Sequence, residues 1–394
     1  MPTEPFQKIS FPPSICSFAH YPVFLQKKAM VYRSIGLMSG SSLDGLDMAM
    51  VEFEEVRGAW NFHIEAAETV PYSDEWLEKL KNATQLSAYD YLRLHSQYGH
   101  YIGQTVQSFI ERNQLEHRVQ MIVSHGHTTF HNPNIGLTAQ LGDGSSIASE
   151  TNINVVSDLR ALDVALGGQG APIVPIGEKY LWSDYDFFLN LGGIANISVH
   201  DKSSENVLAF DVCPANRILN LLAQKEGFQY DKDGAIAEKG QINTALLTAL
   251  NAQTYYKQTP PKSLANEFGS ETLMSLIESY NLSTADALRT FVEHIALQIG
   301  YSLSFAKRPE GQPKMLVTGG GAFNIFLMKR IKNILSQYGI ETVVPDEQTV
   351  AFKEAIVMGF LGILRWREEN TVLGSVSGAK RSSIGGAVWI GQEY

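Results

Sequence analysis

The chain has 394 residues, 44% hydrophobic and 18% charged, with a formal net charge of −10. That length supports two or three domains with a sizeable core, and an acidic balance without a Lys/Arg-rich run excludes nucleic acid as a main partner. The two cysteines, Cys16 and Cys213, lie far apart, so no disulfide framework is implied and a reducing, cytoplasmic setting is expected. No apolar run is long enough to span a bilayer.

Residues 1–29 carry Pro2, Pro5, Pro12, Pro13 and Pro22 and no sustained period. Lys27 and Lys28 follow the apolar residues, the wrong order for a secretory signal. The expectation is that this stretch is a poorly ordered extension or that Met30 is the true start. A strand is predicted over Tyr32–Leu37, then a turn through Gly40-Ser41-Ser42-Leu43-Asp44-Gly45, then a returning strand from Asp47. Glycines let a backbone approach closely, and N–H groups and hydroxyls suit phosphate, although a plain serine-rich hairpin fits the pattern equally well. No lysine follows the glycines, so this is not a Walker A loop.

A third strand follows at Asn61–Val70, and Ser73 and Ser87 cap helices running to about Lys81 and Arg112. Val119–Ser124 reads as a short strand ending in SHGHTTFH, and Thr138–Leu141 leads through Gly142-Asp143-Gly144 into a helix. A second block repeats that order. Strands are predicted at Phe187–Leu191, Ile194–Val199 and Val207–Asp211, with helices near 216–223, 244–251, 271–280 and 283–305. The last has Leu288, Phe291, Val292, Ile295 and Ile299 at helical spacing. Met315–Thr318 enters Gly319-Gly320-Gly321, a helix starts at Asn324, a strand covers 341–344, and a long helix spans 350–367.

Two such blocks suggest an α/β fold made of a duplicated ribonuclease-H-like unit, two domains facing each other across a central nucleotide cleft. The expected division is 30–152 with about 369–394 for the first domain and 153–368 for the second. Glycine turns close three apolar strands: 40–45, the run Asn190-Leu191-Gly192-Gly193-Ile194-Ala195-Asn196, and 318–322. Two can hold the phosphates of a nucleotide while the third lets adenosine approach. Without a loop lysine, Mg²⁺ is expected to neutralise the phosphates, with Asp44 and Asp47 the nearest carboxylates, unless Asp47 is only a strand-edge residue. His125, His127 and His131 invite a metal reading, but no companion cluster has ligand spacing.

Residues 32–394 resemble the anhydro-N-acetylmuramic acid kinases, within the hexokinase/actin/Hsp70 superfamily. The resemblance rests on GLMSGSSLDGLD (36–47), SHGHT (124–128), QLGDGSSIA (140–148), DLRALDVALGGQGAPIVP (158–175), NLGGIANIS (190–198), AFDVCPAN (209–216), VTGGGAFN (317–324) and FKEAIVMGFL (352–361). It implies ATP and Mg²⁺ as cofactors and 1,6-anhydro-N-acetylmuramic acid as substrate, opened by water and phosphorylated at O6 during peptidoglycan recycling. A homodimer is also implied.

The resemblance makes Asp211 the general base, where the residues alone favour a helix cap. Glu354 becomes a group positioning sugar or water, against an ordinary helix glutamate. His125, Arg160, Asp163 and Asn216 become sugar contacts, with a loop-fixing salt bridge the alternative for Arg160 and Asp163. The family reads FDTGPGN or FDTGPAN where this chain has Phe210-Asp211-Val212-Cys213-Pro214-Ala215-Asn216, which leaves substrate detail open. Rivals are a levoglucosan-type kinase, a nucleotide-binding protein without sugar chemistry, and, most distantly, a zinc hydrolase.

Overall fold

Alternating apolar residues fold β1 (Met30–Ser39), β2 (Leu46–Val56) and β3 (Ala59–Val70) into an antiparallel meander. The computed structural model describes residues 29–40, 43–202, 207–260, 262–264 and 268–391. The extension expected over residues 1–29, Ala29 apart, and the turn serines Ser41 and Ser42 lie outside the described residues. On the other side of β1, β4 (Met121–Asn132) pairs in parallel and carries β5 (Leu137–Leu141) and β6 (Asn154–Ser157) as neighbours. The strand predicted over Val119–Ser124 therefore runs on through the HGHTTFH stretch to Asn132.

The second sheet repeats this plan. β7 (Phe187–Leu191), β8 (Ile194–His200) and β9 (Val207–Pro214) form an antiparallel meander, and β10 (Lys314–Thr318) and β11 (Glu341–Val343) extend it in parallel. Strand order is β3-β2-β1-β4-β6 in one sheet and β9-β8-β7-β10-β11 in the other. The same order with the same orientations twice is the duplicated ribonuclease-H-like fold. β12 (Ala387–Trp389) closes the first sheet beside β6, so the chain's last strand returns to it. β6 itself lies just past Asn152 and still belongs to this first sheet.

Both faces of the first sheet are covered, which is why β2 is buried on both sides. Ile35, Leu37, Met48 and Met50 meet Tyr98 and Ile102 of the helix Ala88–Arg112. Ala49, Val51 and Phe53 meet Ile356, Phe360 and Ile363 of the helix Glu347–Trp366. Phe188 of β7 and Leu316 of β10 join that same cluster, so the 347–366 helix is shared by the two sheets. The second sheet's far face packs on the helices Thr284–Ser302 and Ile325–Gln337. No helix among the described residues is long and apolar enough to cross a membrane.

One glycine sets how the shared helix sits. A Cβ on Gly36 would stand 1.8 Å from the Ala355 carbonyl oxygen, so β1 and the helix touch backbone to backbone there. Neighbouring Glu354 is fixed in place by that contact.

Candidate active site

Ligands of open α/β sheets collect at the carboxyl ends of the parallel strands. At the end of β1, Tyr72 donates to Ser39 Oγ at 2.8 Å and lies 2.6 Å from the Tyr98 hydroxyl, while His127 Nδ1 stands 3.0 Å from the same Ser39 oxygen. This buried polar chain fixes the base of the Gly40–Gly45 turn. Leu43 takes φ 58° there, and its N–H bonds the Gly40 carbonyl at 3.3 Å. Beyond the turn, Asp47 accepts from Thr69 Oγ1 at 2.6 Å. Burial pushes the Asp47 carboxyl up to about 6, the Thr69 bond opposes it, and the Asp44 and Glu354 carboxylates push it further.

Glu354 is solvent-accessible yet ringed by protein, the position of a group on a cleft floor. Burial raises its carboxyl, against the charges of Lys353 and Arg160. Arg160 is half-buried; its Nε donates to His125 Nε2 at 2.8 Å, and its Nη1 donates to the Gly170 carbonyl. With Nε2 accepting, the His125 proton sits on Nδ1 and goes to the Gly126 carbonyl at 2.8 Å. Burial and the adjacent guanidinium hold this imidazole down to about 3, so it stays neutral. Both His125 nitrogens are engaged within the protein.

Asp163 is buried away from solvent, accepting from the Gly170 N–H at 2.8 Å and the Ser377 hydroxyl at 2.6 Å. It holds the Gly167–Pro172 loop from inside. Beneath Glu354, Lys353 Nζ lies 2.5 Å from Glu178 Oε1, and the hydroxyl of Ser198 and the ring of His200 face Glu178 Oε2. All four side chains are buried. This cluster joins the shared helix, the helix Val174–Leu181 and β8. The sequence reading passed over it; its one signal was a lysine inside an otherwise apolar helical run.

In the second sheet, Asp211 lies within β9 and the following helix is capped by Ala215 without a side-chain bond, so Asp211 is not the helix cap. Its Oδ2 accepts the Leu264 N–H at 2.9 Å, its N–H donates to the Lys262 carbonyl, and its carbonyl accepts from Tyr255. Burial raises the carboxyl and the Leu264 bond restrains it. Asn196 is its partner across β8, and a bulge at Val212 lets both Val212 and Cys213 face the core. The departure from the family pattern is thus absorbed by packing, with the Cys213 thiol pushed far up by burial.

Asn216 Nδ2 donates to the Leu191 carbonyl at 2.9 Å, tying the start of its helix to the Gly192-Gly193 turn. Gly319 has φ 82°, and a Cβ there would lie 2.5 Å from Asn190 Oδ1; a Cβ on Gly321 would lie 3.0 Å from Asn216 Oδ1. The structure thus gathers Asp44, Asp47, Glu354, Arg160 and His125 in one set. Asp211, Asn196, Asn216, Gly192, Gly193 and Gly319–Gly321 form another, and Asp163 faces neither.

The profile of the anhydro-N-acetylmuramic acid kinase family matches residues 32–391. An anhydro-N-acetylmuramic acid kinase of Vibrio vulnificus is 35% identical over 366 residues, 89% of this chain and 96% of its own. One of Zymomonas mobilis is 36% identical over 321 residues, 77% of this chain and 84% of its own. Among solved structures, (R)-2-hydroxyglutaryl-CoA dehydratase component A of Acidaminococcus fermentans superposes with a TM-score of 0.43 at 12% identity, over 83% of this chain and 95% of that one. With nearly its whole length matched, this chain belongs to the anhydro-N-acetylmuramic acid kinase family.

Proposed function

We propose that the chain uses ATP to convert 1,6-anhydro-N-acetylmuramic acid into N-acetylmuramic acid 6-phosphate, a step in peptidoglycan recycling. The observation that carries this reading is the placement of Asp211. It is a strand carboxylate, half-buried and held by a single backbone N–H among the described residues, rather than spent on a helix cap.

O6 of the anhydrosugar is bonded to C1 and carries no proton. Water must attack C1 opposite the bridge, as in inverting glycoside hydrolysis. Asp211 takes the proton of that water as its oxygen bonds C1, the C1–O6 bond breaks, and O6 takes the γ-phosphoryl group as ADP leaves. The phosphoryl group does the work of a general acid, so one catalytic carboxylate suffices. Glu354 and Arg160 orient sugar or water at the cleft floor, and the turns at 192–193 and 319–321 accommodate the nucleotide. Among the described residues no three His, Cys, Asp or Glu side chains form a ready metal cage. That suits Mg²⁺, which is commonly held by one or two carboxylates plus phosphate oxygens and water. Asp44 and Asp47 would hold it, and it supplies charge neutralisation for phosphoryl transfer when bound.

The test is a coupled ATP assay with 1,6-anhydro-N-acetylmuramic acid and levoglucosan in parallel, on wild type and Asp211→Asn. Turnover of the muramic sugar that collapses in the variant supports the assignment. A preference for levoglucosan moves the protein to that activity, and ATP binding without turnover of either sugar would leave a nucleotide-binding protein.

A further inference from the structure

A cavity of about 420 Å³ lies outside the cleft, among the helices on the far face of the second sheet. Its walls come from the end of the helix Thr244–Asn251, the turn Thr254–Lys257, the helix Thr284–Ser302 and Tyr338 after the helix Ile325–Gln337. A polar network forms its floor. His294 is fully buried, and because Asn251 Oδ1 can only accept, His294 Nδ1 donates to it at 2.7 Å. The Tyr256 hydroxyl then donates to His294 Nε2 at 2.9 Å. Burial holds this imidazole down to about 3, so it is neutral, as that arrangement requires. Gln298 Nε2 supplies the second donor to the same Asn251 oxygen at 2.8 Å.

That network leaves two groups open. The Asn251 Nδ2 hydrogens have no acceptor among the described residues, since only the amide oxygen is engaged. Gln298 is 7% exposed and lines the cavity, yet its Oε1 accepts from no described donor. A buried amide satisfied on one side alone is a reason to look for a ligand. A donor and an acceptor therefore stand side by side on the cavity floor. Tyr301 and Tyr338, both exposed, supply aromatic wall. Lys257 stands exposed at the cavity with no carboxylate paired to it among the described residues, and none of the lining residues is acidic.

We infer that this cavity is a second nucleotide site, separate from the cleft, and that its occupancy acts on Asp211. A nucleobase is a planar ring whose edge carries a donor beside an acceptor, and Asn and Gln amides read such edges. Gln298 Oε1 and Asn251 Nδ2 complement that edge, tyrosine rings stack on its faces, and Lys257 meets the phosphate. A sugar ring alone would leave most of its hydroxyls without partners, because the floor offers a single open donor–acceptor pair. The turn Thr254–Lys257 joins cavity to cleft. Tyr256 lines the cavity and its ring meets that of Tyr255 edge-on at 5.7 Å, while the Tyr255 hydroxyl donates to the Asp211 carbonyl at 2.7 Å. An occupant that fixes this turn fixes the backbone of Asp211 with it, and so activates. The site itself does not depend on the kinase reading above; the activation rests on it.

AMP, GMP, CMP and UMP are the probes, titrated calorimetrically into protein whose cleft is saturated with a non-hydrolysable ATP analogue. At least one is expected to bind at a single site per chain. Lys257→Ala and Tyr301→Ala change exposed side chains, and each should weaken that binding about ten-fold while leaving basal turnover unchanged. Binding of none of the probes, or binding that both variants leave within about two-fold of wild type, overturns the site. At saturating ATP the bound nucleotide should raise kcat for 1,6-anhydro-N-acetylmuramic acid about two-fold or more. Tyr255→Phe, which removes the bond to the Asp211 carbonyl, should still bind the nucleotide but no longer respond to it. A wild-type kcat that stays level or falls, or a Tyr255→Phe variant that responds like wild type, overturns the link to Asp211. A wild type that turns over no anhydrosugar refutes the kinase reading and the activation with it, while the calorimetry, which needs no sugar, still decides the site.

Discussion

Replacing Lys353 by Met should destabilise the protein by about 3–5 kcal/mol, because it strands a buried carboxylate. Glu178 is 4% exposed, with Lys353 Nζ at 2.5 Å and His200 Nε2 at 3.3 Å. Burial alone would raise its carboxyl; the Lys353 charge and the His200 ring, each also within hydrogen-bonding reach, outweigh burial and draw it down to about 2 from an ordinary 4.5. That difference corresponds to roughly 3 kcal/mol, in line with the cost of breaking buried pairs. The sign follows from the lowered value. The stabilisation is complete above the ordinary carboxylate pKa and disappears as pH falls through 4.5 towards 2. Urea unfolding of wild type, Lys353→Met and Lys353→Met/Glu178→Gln at pH 7 and below pH 4 tests this. The single variant should lose stability at pH 7 and show a flatter acid limb. The double variant should recover most of the loss, since a neutral amide still bonds Ser198 and His200. A single variant within about 0.5 kcal/mol of wild type, or a double variant no better than the single, would refute the reasoning.

Further outcomes are expected at three residues. Gly36→Ala forces a Cβ to within 1.8 Å of the Ala355 oxygen, so the shared helix must move; a loss of about 3 kcal/mol or more in a denaturation series, with reduced turnover in whatever remains folded, is expected. Burial holds the Asp47 carboxyl up to about 6, so at limiting Mg²⁺ the kcat/KM should fall as pH drops through 6, and Asp47→Asn should lower kcat/KM at neutral pH and show no such limb. Because its folded value is raised, the native state holds the proton more tightly than the unfolded chain. Stability is lost as pH rises from 3.8 through 6, and Asp47→Asn should melt higher than wild type above pH 6. Phe360→Ala empties a site packed by Trp60 at 4.9 Å and Phe53 at 5.5 Å and should cost about 3–5 kcal/mol in equilibrium unfolding.

The repeated meander was legible in the sequence because strand period, glycine turn and helix cap recur together in each half. β6 and β12 were not, since NVVS and AVW are too short to show a period and exist only through pairing with each other and with β4. β4 was read short for a different reason: the polar residues after Ser124 look like the end of a strand, but β5 pairs them into the sheet. The site divides along the same line. Positions announced by local pattern, such as the glycine turns, stand where expected at strand ends. Side-chain roles depend on partners distant in sequence, and these could not be read from position alone. Asp163 sits three residues from Arg160, yet Ser377 draws it inward while His125 and the Gly170 carbonyl fix Arg160. Asp211 shows the converse. Its spacing before Pro214 is that of a helix cap, but a bulge at Val212 keeps the strand going to Pro214 and moves the helix start beyond Ala215. One inserted residue thus keeps this carboxylate out of the helix cap and leaves it on a strand, bonded to the Leu264 N–H.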